Sequence, residues 1–371
     1  MLDTIILQIP IVYSAIIDHN KFRPPTKNIP NNPEGFSKYM NNPTNEDRKR
    51  GIYKPKLTMI KRGRTICLKI EFSAPKLLFG NNLEELEEDD FDKVVIRLRD
   101  IIKEMGVFLW TRQIEKAEII GLHPSKNIIL TKGYTSSLTI RELSKINLSQ
   151  KMDLERVSFR NDGESIQFYS NRHSIVFYDK INDLIKPPKR AIDKDQIKQQ
   201  TNLFEYIKKE KKNLEVLRFE IRLSHKDKIR EVLEKVGYTE NPIFKDIFKK
   251  ELCQKIVKLY WESLFGSNLF IFNTYNNPQK ILEMILIKYP KTKIRTAVML
   301  VGLNLLCKDD DGFRGFRKIV GNYKEKRDWL ALTRYLDKIQ NDFFKEPLHG
   351  FVDDIQREIR GFEAFKLDKK D

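Results

Sequence analysis

Residues 216–224 read VLRFEIRLS, and this stretch decides which fold class the sequence predicts. Apolar residues occupy every second position over Leu217–Leu223, and Arg218, Glu220 and Arg222 stand between them. Because successive side chains of a strand point to opposite faces of a sheet, the pattern predicts a β-strand with one apolar and one charged face. A sheet is therefore expected at the centre of the fold.

Several stretches upstream of this strand have similar patterns of apolar residues. They predict strands over 4–12, 64–72, 113–122, 127–134, 165–170 and 173–181. We expect a turn at His123-Pro124 and a β-hairpin around Asn171-Arg172. The Pro- and Asn-rich residues 19–56 predict a loop, and 74–82 a strand exit and turn. The acidic block 84–90 predicts the first turn of a helix reaching Met105, where carboxylates complement the helix dipole, and SLTIRELSKI predicts a short helix.

The chain changes character after residue 225. Every periodic segment from there on carries apolar residues at helical spacing, RDWLALTRYLDKIQ (327–340) among them, and the Lys- and Gln-rich segment 186–212 also predicts a helix. We therefore predict an α+β fold, with an antiparallel-sheet domain over 1–225 and an all-helical domain over 226–371.

The charge of the chain favours a polyanionic partner. Its 69 Lys and Arg outnumber its 52 Asp and Glu, which leaves a formal net charge of +17. Nucleic acid fits this excess because each neutralised phosphate releases condensed counterions, and a membrane surface would fit it too.

The cysteines predict a reducing compartment. Cys67, Cys253 and Cys307 are scattered and form no CxxC pair, so neither a disulfide framework nor a zinc site is expected. The apolar opening MLDTIILQIPIVYSAII lacks a basic flank and is interrupted by polar residues, so it predicts neither a signal peptide nor a membrane span. We expect a cytoplasmic protein.

Two sets of residues have the chemistry of a phosphate site. Arg218, Glu220 and Arg222 would stand together on one strand face, where a carboxylate can hold a metal and guanidinium groups can grip phosphate oxygens. The alternative is a solvated face with cross-strand ion pairs. Tyr178, in SIVFYDKIND, would be either a packing side chain with a wet hydroxyl or a nucleophile towards a phosphodiester.

Five stretches, in order over about the first 225 residues, resemble the replication initiation proteins of filamentous phages, the gene II and X protein family. They are MLDTIILQIPI, CLKIEFSAPKLLFGNN, EKAEI, SNRHSIVFYDK and VLRFEIRL. The resemblance implies an N-terminal nicking domain of the HUH type, or that of a related rolling-circle initiator.

The resemblance also implies roles for individual residues. Tyr178 falls on the tyrosine that joins covalently to the nicked strand, with Lys180 as a catalytic helper. Glu118 and Glu220 fall on the acids that we expect to hold Mg²⁺ or Mn²⁺. The positions implied to bind DNA phosphates are Arg172, Arg218, Arg222, Lys116 and Lys76. Asn81 falls in the family's GxN segment.

Some positions depart from the pattern of rolling-circle initiators. Many hold their metal through a His-hydrophobe-His pair, which is absent here, so His123 and His173 are the alternative ligands. Glu118 replaces the usual Asp, and Lys116 replaces an Arg, which removes bidentate phosphate binding.

The resemblance implies that Tyr178 nicks a plus-strand origin, leaving a 3′-hydroxyl primer and a 5′-phosphotyrosyl link, and later rejoins the displaced strand. The implied partners, in a bacterial host cell, are single-stranded or supercoiled origin DNA, a host helicase and a polymerase. From its charge and position, we expect the helical domain over 226–371 to bind origin duplex or a partner such as the helicase. Two other classes remain open: a non-catalytic, sequence-specific DNA-binding regulator and an RNA-binding protein.

Overall fold

Nine strands in the described part of the chain form one sheet, in which every neighbouring pair is antiparallel. The spatial order is β2-β3-β4-β1-β5-β9-β8-β7-β6. The strands are β1 (Leu2–Ile11), β2 (Phe36–Asn41), β3 (Lys56–Arg62), β4 (Thr65–Ser73), β5 (Glu118–Ile129), β6 (Arg156–Arg160), β7 (Ser165–Tyr169), β8 (His173–Asp179) and β9 (Val216–Leu223).

The helices surround this sheet. They are α1 (Asn45–Lys49), α2 (Ala74–Phe79), α3 (Phe91–Glu104), α4 (Thr111–Glu115), α5 (Ser136–Ser144), α6 (Lys180–Ile185), α7 (Lys226–Lys235), α8 (Phe244–Ile247), α9 (Lys250–Ser267), α10 (Leu269–Phe272), α11 (Pro278–Lys288), α12 (Ile294–Lys308), α13 (Gly312–Tyr323) and α14 (Gly350–Gly361). Short 3₁₀ turns cover Tyr13–Ala15, His19–Lys21, Thr26–Asn28 and Glu88–Asp90.

This computed structural model describes residues 1–29, 35–131, 133–146, 148, 154, 156–160, 163–185, 214–267, 269–272, 274, 277–309, 311–325, 327–332, 334 and 348–367. The helix predicted over 186–212 lies outside these residues, and so does half of the helical segment predicted over 327–340. None of the described helices combines the length and the apolar character needed to cross a membrane.

The two faces of the sheet differ as the alternation in VLRFEIRLS predicts. Phe219 stacks on Phe177 with ring centroids 4.6 Å apart, and Trp261 of α9 meets Phe219 edge-on. This apolar face packs against the helices, because burying it removes large aromatic surfaces from water. Tyr178, Arg218 and Glu220 lie on the opposite face.

The helices after residue 225 pack on the sheet that precedes them. One continuous apolar core includes Phe72 and Phe219 of the sheet together with Phe244, Trp261 and Phe351 of the later helices. A mixed α+β fold with a large antiparallel sheet is thus confirmed. The nickase type and the division at 225/226 remain predictions.

The predicted strand pair over 113–134 is wrong. Residues 118–129 form one continuous strand, and α4 precedes it. Pro124 lacks an N–H for the ladder, but it lies opposite Leu2, where the register between β1 and β5 shifts and one hydrogen bond is dispensable.

The loop predicted over 19–56 contains a strand, β2, and a short helix, α1. β2 pairs with β3 along its whole length, and buried Tyr39 anchors it to the core. The cross-strand partner, which local composition does not reveal, stabilises this strand. The strand exit and turn predicted after β4 are also partly helical. Residues 74–79 form α2, which ends at Gly80 with a φ of 73°.

Only the second half of the acidic block is helical: Glu88–Asp90 form a 3₁₀ turn that leads directly into α3, whereas the first half lies ahead of the helix. Glu84 and Glu85 are buried ahead of α3, and Glu85 accepts hydrogen bonds from Lys126 Nζ at 2.8 Å and from the backbone of Asn127 at 2.7 Å. Glu85 thus satisfies buried donors of β5 and Glu84 accepts a hydrogen bond from Asn81, whereas α3 begins only at Phe91.

Candidate functional site

A cluster of polar side chains lies on the face of the central strands opposite α9. We call Tyr178, Arg218, Glu220, Arg222 and His123 the Tyr178 cluster. The strand register places Tyr178 opposite Arg218 and Val176 opposite Glu220, and Glu220 in turn lies opposite Ser125 of β5. Neighbouring strands therefore bring side chains from distant parts of the chain onto one surface.

The hydroxyl of Tyr178 contacts the carboxylate of Glu220. Tyr178 Oη donates a hydrogen bond to Glu220 Oε2 at 3.3 Å, and the tyrosine is partly exposed while the glutamate is buried. Burial, followed by the negative charge of Glu220, raises the pKa of Tyr178 well above its ordinary value. The hydroxyl is accordingly held in its protonated, donating form.

Glu220 is ionised although it is buried. Burial alone would raise its pKa, but Arg222 and His123 outweigh that effect and hold the pKa well below its usual range. Arg222 Nε donates to Glu220 Oε1 at 2.8 Å, and His123 Nδ1 lies 3.3 Å from the same oxygen. The carboxylate of Glu220 thus links Tyr178 to Arg222, a cation, and to His123, a possible metal ligand.

Arg218 is the largest buried side chain of the cluster. It donates hydrogen bonds to Ser125 Oγ at 2.8 Å, Asn127 Oδ1 at 2.9 Å and the carbonyl of Asn82 at 3.2 Å. Asp3 of β1 lies 3.6 Å from the same guanidinium group. These partners offset the cost of burying a charge and fix the guanidinium beside Tyr178.

Lys180 begins α6 immediately behind the tyrosine. It is fully buried, its Nζ has no hydrogen-bond partner among the described residues, and that atom lies 5.4 Å from the centroid of the Tyr178 ring. Burial and then the charge of Arg218 lower the pKa of Lys180 to about 7. A substantial fraction of this amine is therefore neutral near neutral pH.

The loop after α2 covers the cluster. Asn81 Oδ1 accepts hydrogen bonds from the backbones of Leu83 and Glu84, which shapes the loop so that the carbonyl of Asn82 reaches Arg218. Asn81 thus has a structural role here. Lys76 of α2 is partly buried, and its charge contributes to the lowered pKa of Lys180.

Glu118 does not meet Glu220, contrary to the predicted metal pair. It starts β5 opposite Gln8, whereas Glu220 lies opposite Ser125, seven residues further along the strand, or roughly 20 Å. Lys226 Nζ donates to Glu118 at 2.6 Å. Lys116 is exposed at the end of α4, two residues before Glu118, and is therefore also far from Glu220.

Arg172 and His173 also lie away from the tyrosine. Arg172 is exposed in the β7–β8 turn, six residues and roughly 20 Å from Tyr178. His173 is buried, and its Nδ1 contacts the hydroxyl of Tyr260 at 2.8 Å, which ties β8 to α9.

The described residues offer few ligands for a metal. No three His, Cys, Asp or Glu side chains among them are arranged to hold one. Glu220 and His123 are the two donors in contact, and they fit a Mg²⁺ that takes its remaining ligands from water and phosphate oxygens.

Sequence reasoning missed Asp3, Ser125 and Asn127. His123, Ser125 and Asn127 alternate at two-residue spacing, which is the signal of a polar strand face. Pro124 within that stretch favoured a turn instead.

No protein-family model matches the chain, and no match was found among the curated proteins or among the solved structures. The likeness to phage replication initiators therefore remains a prediction from the motifs. The chemistry of the Tyr178 cluster has to be argued from its own geometry, which combines a tyrosine hydroxyl, a buried carboxylate, two arginines and a histidine, with the buried Lys180 beside them.

Proposed function

We propose that the protein is a DNA strand transferase that nicks and rejoins a replication origin through Tyr178. The observation that carries the proposal is the 3.3 Å contact between Tyr178 Oη and Glu220, with Arg218 and Arg222 beside it. A hydroxyl held against an acid and flanked by guanidinium groups suits attack on a phosphodiester, because arginines stabilise the charge that develops on phosphate oxygens.

In the proposed reaction, Tyr178 Oη forms a bond to phosphorus while the bond from phosphorus to the 3′ oxygen breaks. The proton of the phenol passes through one bridging water to neutral Lys180, whose Nζ lies 5.4 Å from the centroid of the tyrosine ring and whose pKa of about 7 suits a general base. The departing 3′ oxygen takes up a proton from solvent. Glu220 orients the hydroxyl. The phosphotyrosyl ester conserves the bond energy, so the reverse step rejoins a strand.

A Mg²⁺ or Mn²⁺ ion would be held by Glu220 and His123 together with phosphate oxygens, and it would supply Lewis-acid polarisation of the phosphate. Arg222 contacts the same carboxylate oxygen of Glu220 as His123 does. An ion bound there would compete with this ion pair. Glu118 has no part in this site.

The proposal is tested by incubating the protein with labelled single-stranded origin DNA and Mg²⁺, then separating the products on a denaturing gel. Wild type is expected to form a covalent adduct, and Tyr178→Phe is expected to form none. Tyr169→Phe, on the neighbouring strand, is the matched control and should form the adduct. An adduct with Tyr178→Phe would overturn the assignment.

One observation favours a second candidate, a DNA-binding regulator without catalysis. The raised pKa of Tyr178 is what a tyrosine that only donates a structural hydrogen bond would have. This candidate predicts origin binding by wild type and by Tyr178→Phe alike, with no adduct from either.

A further inference from the structure

The turn between α11 and α12 carries a concentration of positive charge. The sequence over 288–295 reads KYPKTKIR, and no acidic residue occurs anywhere over 284–308. Lys288, Lys291, Lys293 and Arg295 are all exposed. We call Lys291, Lys293 and Arg295 the basic turn.

The backbone of this turn is ordered by its own hydrogen bonds. Thr292 N donates to the carbonyl of Tyr289 at 2.9 Å, and Ala297 N donates to Lys293 at 3.0 Å where α12 begins. Pro290 follows Tyr289 and restricts the backbone at the first corner position. The basic side chains are thus displayed from a fixed backbone, which lowers the entropy cost of binding.

The basic turn differs from three exposed lysines that are paired with acids on other helices. Lys235, Lys255 and Lys258 each lie within 4 Å of a glutamate one helical turn away, namely Glu231, Glu251 and Glu262. Within the described ranges, no ion pair is recorded for the three side chains of the basic turn. Its charge is therefore not neutralised locally and acts on an external anion.

We propose that the basic turn binds the phosphate backbone of duplex DNA, as a contact separate from the Tyr178 cluster. The inference rests on the proposed function, which brings origin DNA to the protein. Duplex DNA fits because it carries one phosphate charge per roughly 1.7 Å of helix axis, so three cations on one turn can each meet a phosphate. The contact positions the duplex and reads no bases.

Three exposed apolar side chains, Ile287, Ile294 and Val298, stand beside the basic turn. Basic and apolar residues together also suit an anionic membrane surface. The experiment below therefore includes vesicles.

The test measures binding of a fluorescent random-sequence 30-base-pair duplex from about 50 to 300 mM salt. The variant Lys291→Gln/Lys293→Gln/Arg295→Gln is compared with Lys235→Gln/Lys255→Gln/Lys258→Gln, which removes the same net charge. The first should weaken binding at least tenfold at low salt and flatten the slope of log K against log salt by about 2 to 3. The second should change that slope by less than about 1.

Equal effects of the two triple variants would overturn the proposal. So would the loss of binding to phosphatidylglycerol vesicles, with duplex binding unchanged, which would assign the turn to a membrane. Adduct formation on a short single-stranded origin oligonucleotide should be normal in both triple variants. An adduct with Tyr178→Phe would refute the proposed function alone, because duplex binding is measured independently of nicking.

Discussion

At the scale of single residues, Lys180 has the most unusual environment. A fully buried amine whose Nζ lacks a hydrogen-bond partner among the described residues costs stability, because an unsatisfied buried donor costs about 1 to 3 kcal/mol. Its pKa of about 7 lies far below the ordinary lysine value of 10.5. Unfavourable burial of a titratable group beside a nucleophile is typical of catalytic sites.

We therefore predict that the nicking rate depends on the neutral form of Lys180. Below a pH of about 7 the amine is protonated, so the rate should fall about tenfold per pH unit, and above that value it should level off. Lys180→Met should lower the rate at pH 8 by about 10²- to 10⁴-fold and abolish this dependence. Single-turnover adduct formation measured from pH 5 to 9 checks the prediction.

An unchanged bend near pH 7 in Lys180→Met would exclude this lysine as the base. Lys76→Met is the control for the loss of a nearby charge. Its plot of nicking rate against pH should still bend near pH 7.

At the scale of elements, the start of α13 is held by a close approach of two backbones. Gly312 has a φ of 58°, and a Cβ placed on it would lie 2.4 Å from Cα of Lys145, just after α5. Phe313 N donates to the carbonyl of Lys145 at 2.9 Å. A glycine is required at this contact because any side chain would push the two backbones apart.

We predict that Gly312→Ala destabilises the protein by about 1 to 3 kcal/mol through this clash and the unfavourable φ. Gly321→Ala, in the same helix but with open space around its Cα, should instead be neutral or stabilise by up to about 1 kcal/mol. Urea denaturation of both variants provides the comparison. Equal free energies of unfolding would show that the α5–α13 contact does not constrain the fold.

At the scale of the whole molecule, Glu85 joins segments that are far apart in the chain. Its carboxylate accepts hydrogen bonds from Lys126 of β5 and from the backbone of Phe365 after α14. Lys126 also donates to the carbonyl of Glu363 at 2.7 Å. Burial would raise the pKa of Glu85, but the amino group of Met1 and Lys126 outweigh it and lower the pKa to about 2.

We predict that Glu85→Gln lowers the free energy of unfolding at pH 7 by about 3 to 5 kcal/mol, because buried Lys126 loses its nearer counter-charge and keeps only Glu358, 3.7 Å away. The folded pKa is depressed below the ordinary value of 4.5, so the contribution of Glu85 is fully present above pH 4.5. This contribution is lost as the pH falls from 4.5 towards 2. The difference in free energy of unfolding between Glu85→Gln and wild type should therefore narrow over that range.

The control is Glu251→Gln, which removes an exposed pair with Lys255 and should leave the free energy of unfolding almost unchanged, because solvent screens that pair. Urea denaturation at pH 7 and pH 3 measures both effects. If Glu85→Gln and wild type differed by the same free energy of unfolding at pH 7 and pH 3, the lowered pKa of Glu85 would not be linked to stability.

The sequence by itself determined where most strands lie and which side of each is apolar. The alternation in VLRFEIRLS and in SIVFYDKIND predicted the two faces of β9 and β8, and hence placed Tyr178 and Glu220 on compatible faces. Strand periodicity is a local property, so it can be read without knowing the partners of a strand. β5 was predicted as two strands, since Pro124 resembles a turn unless the register beside it is known. β2 was predicted as part of a loop, and no strand was predicted over β3 or β6.

Only the tertiary structure decided which polar side chains meet. Glu118 and Glu220 both lie on adjacent strands, yet the register separates them along β5 and brings Ser125 and Asn127 to the site instead. Burial likewise turned Glu85 from a presumed helix-start acid into a structural ion-pair partner. Register and burial depend on contacts between residues far apart in sequence, whereas a motif records only neighbours along the chain.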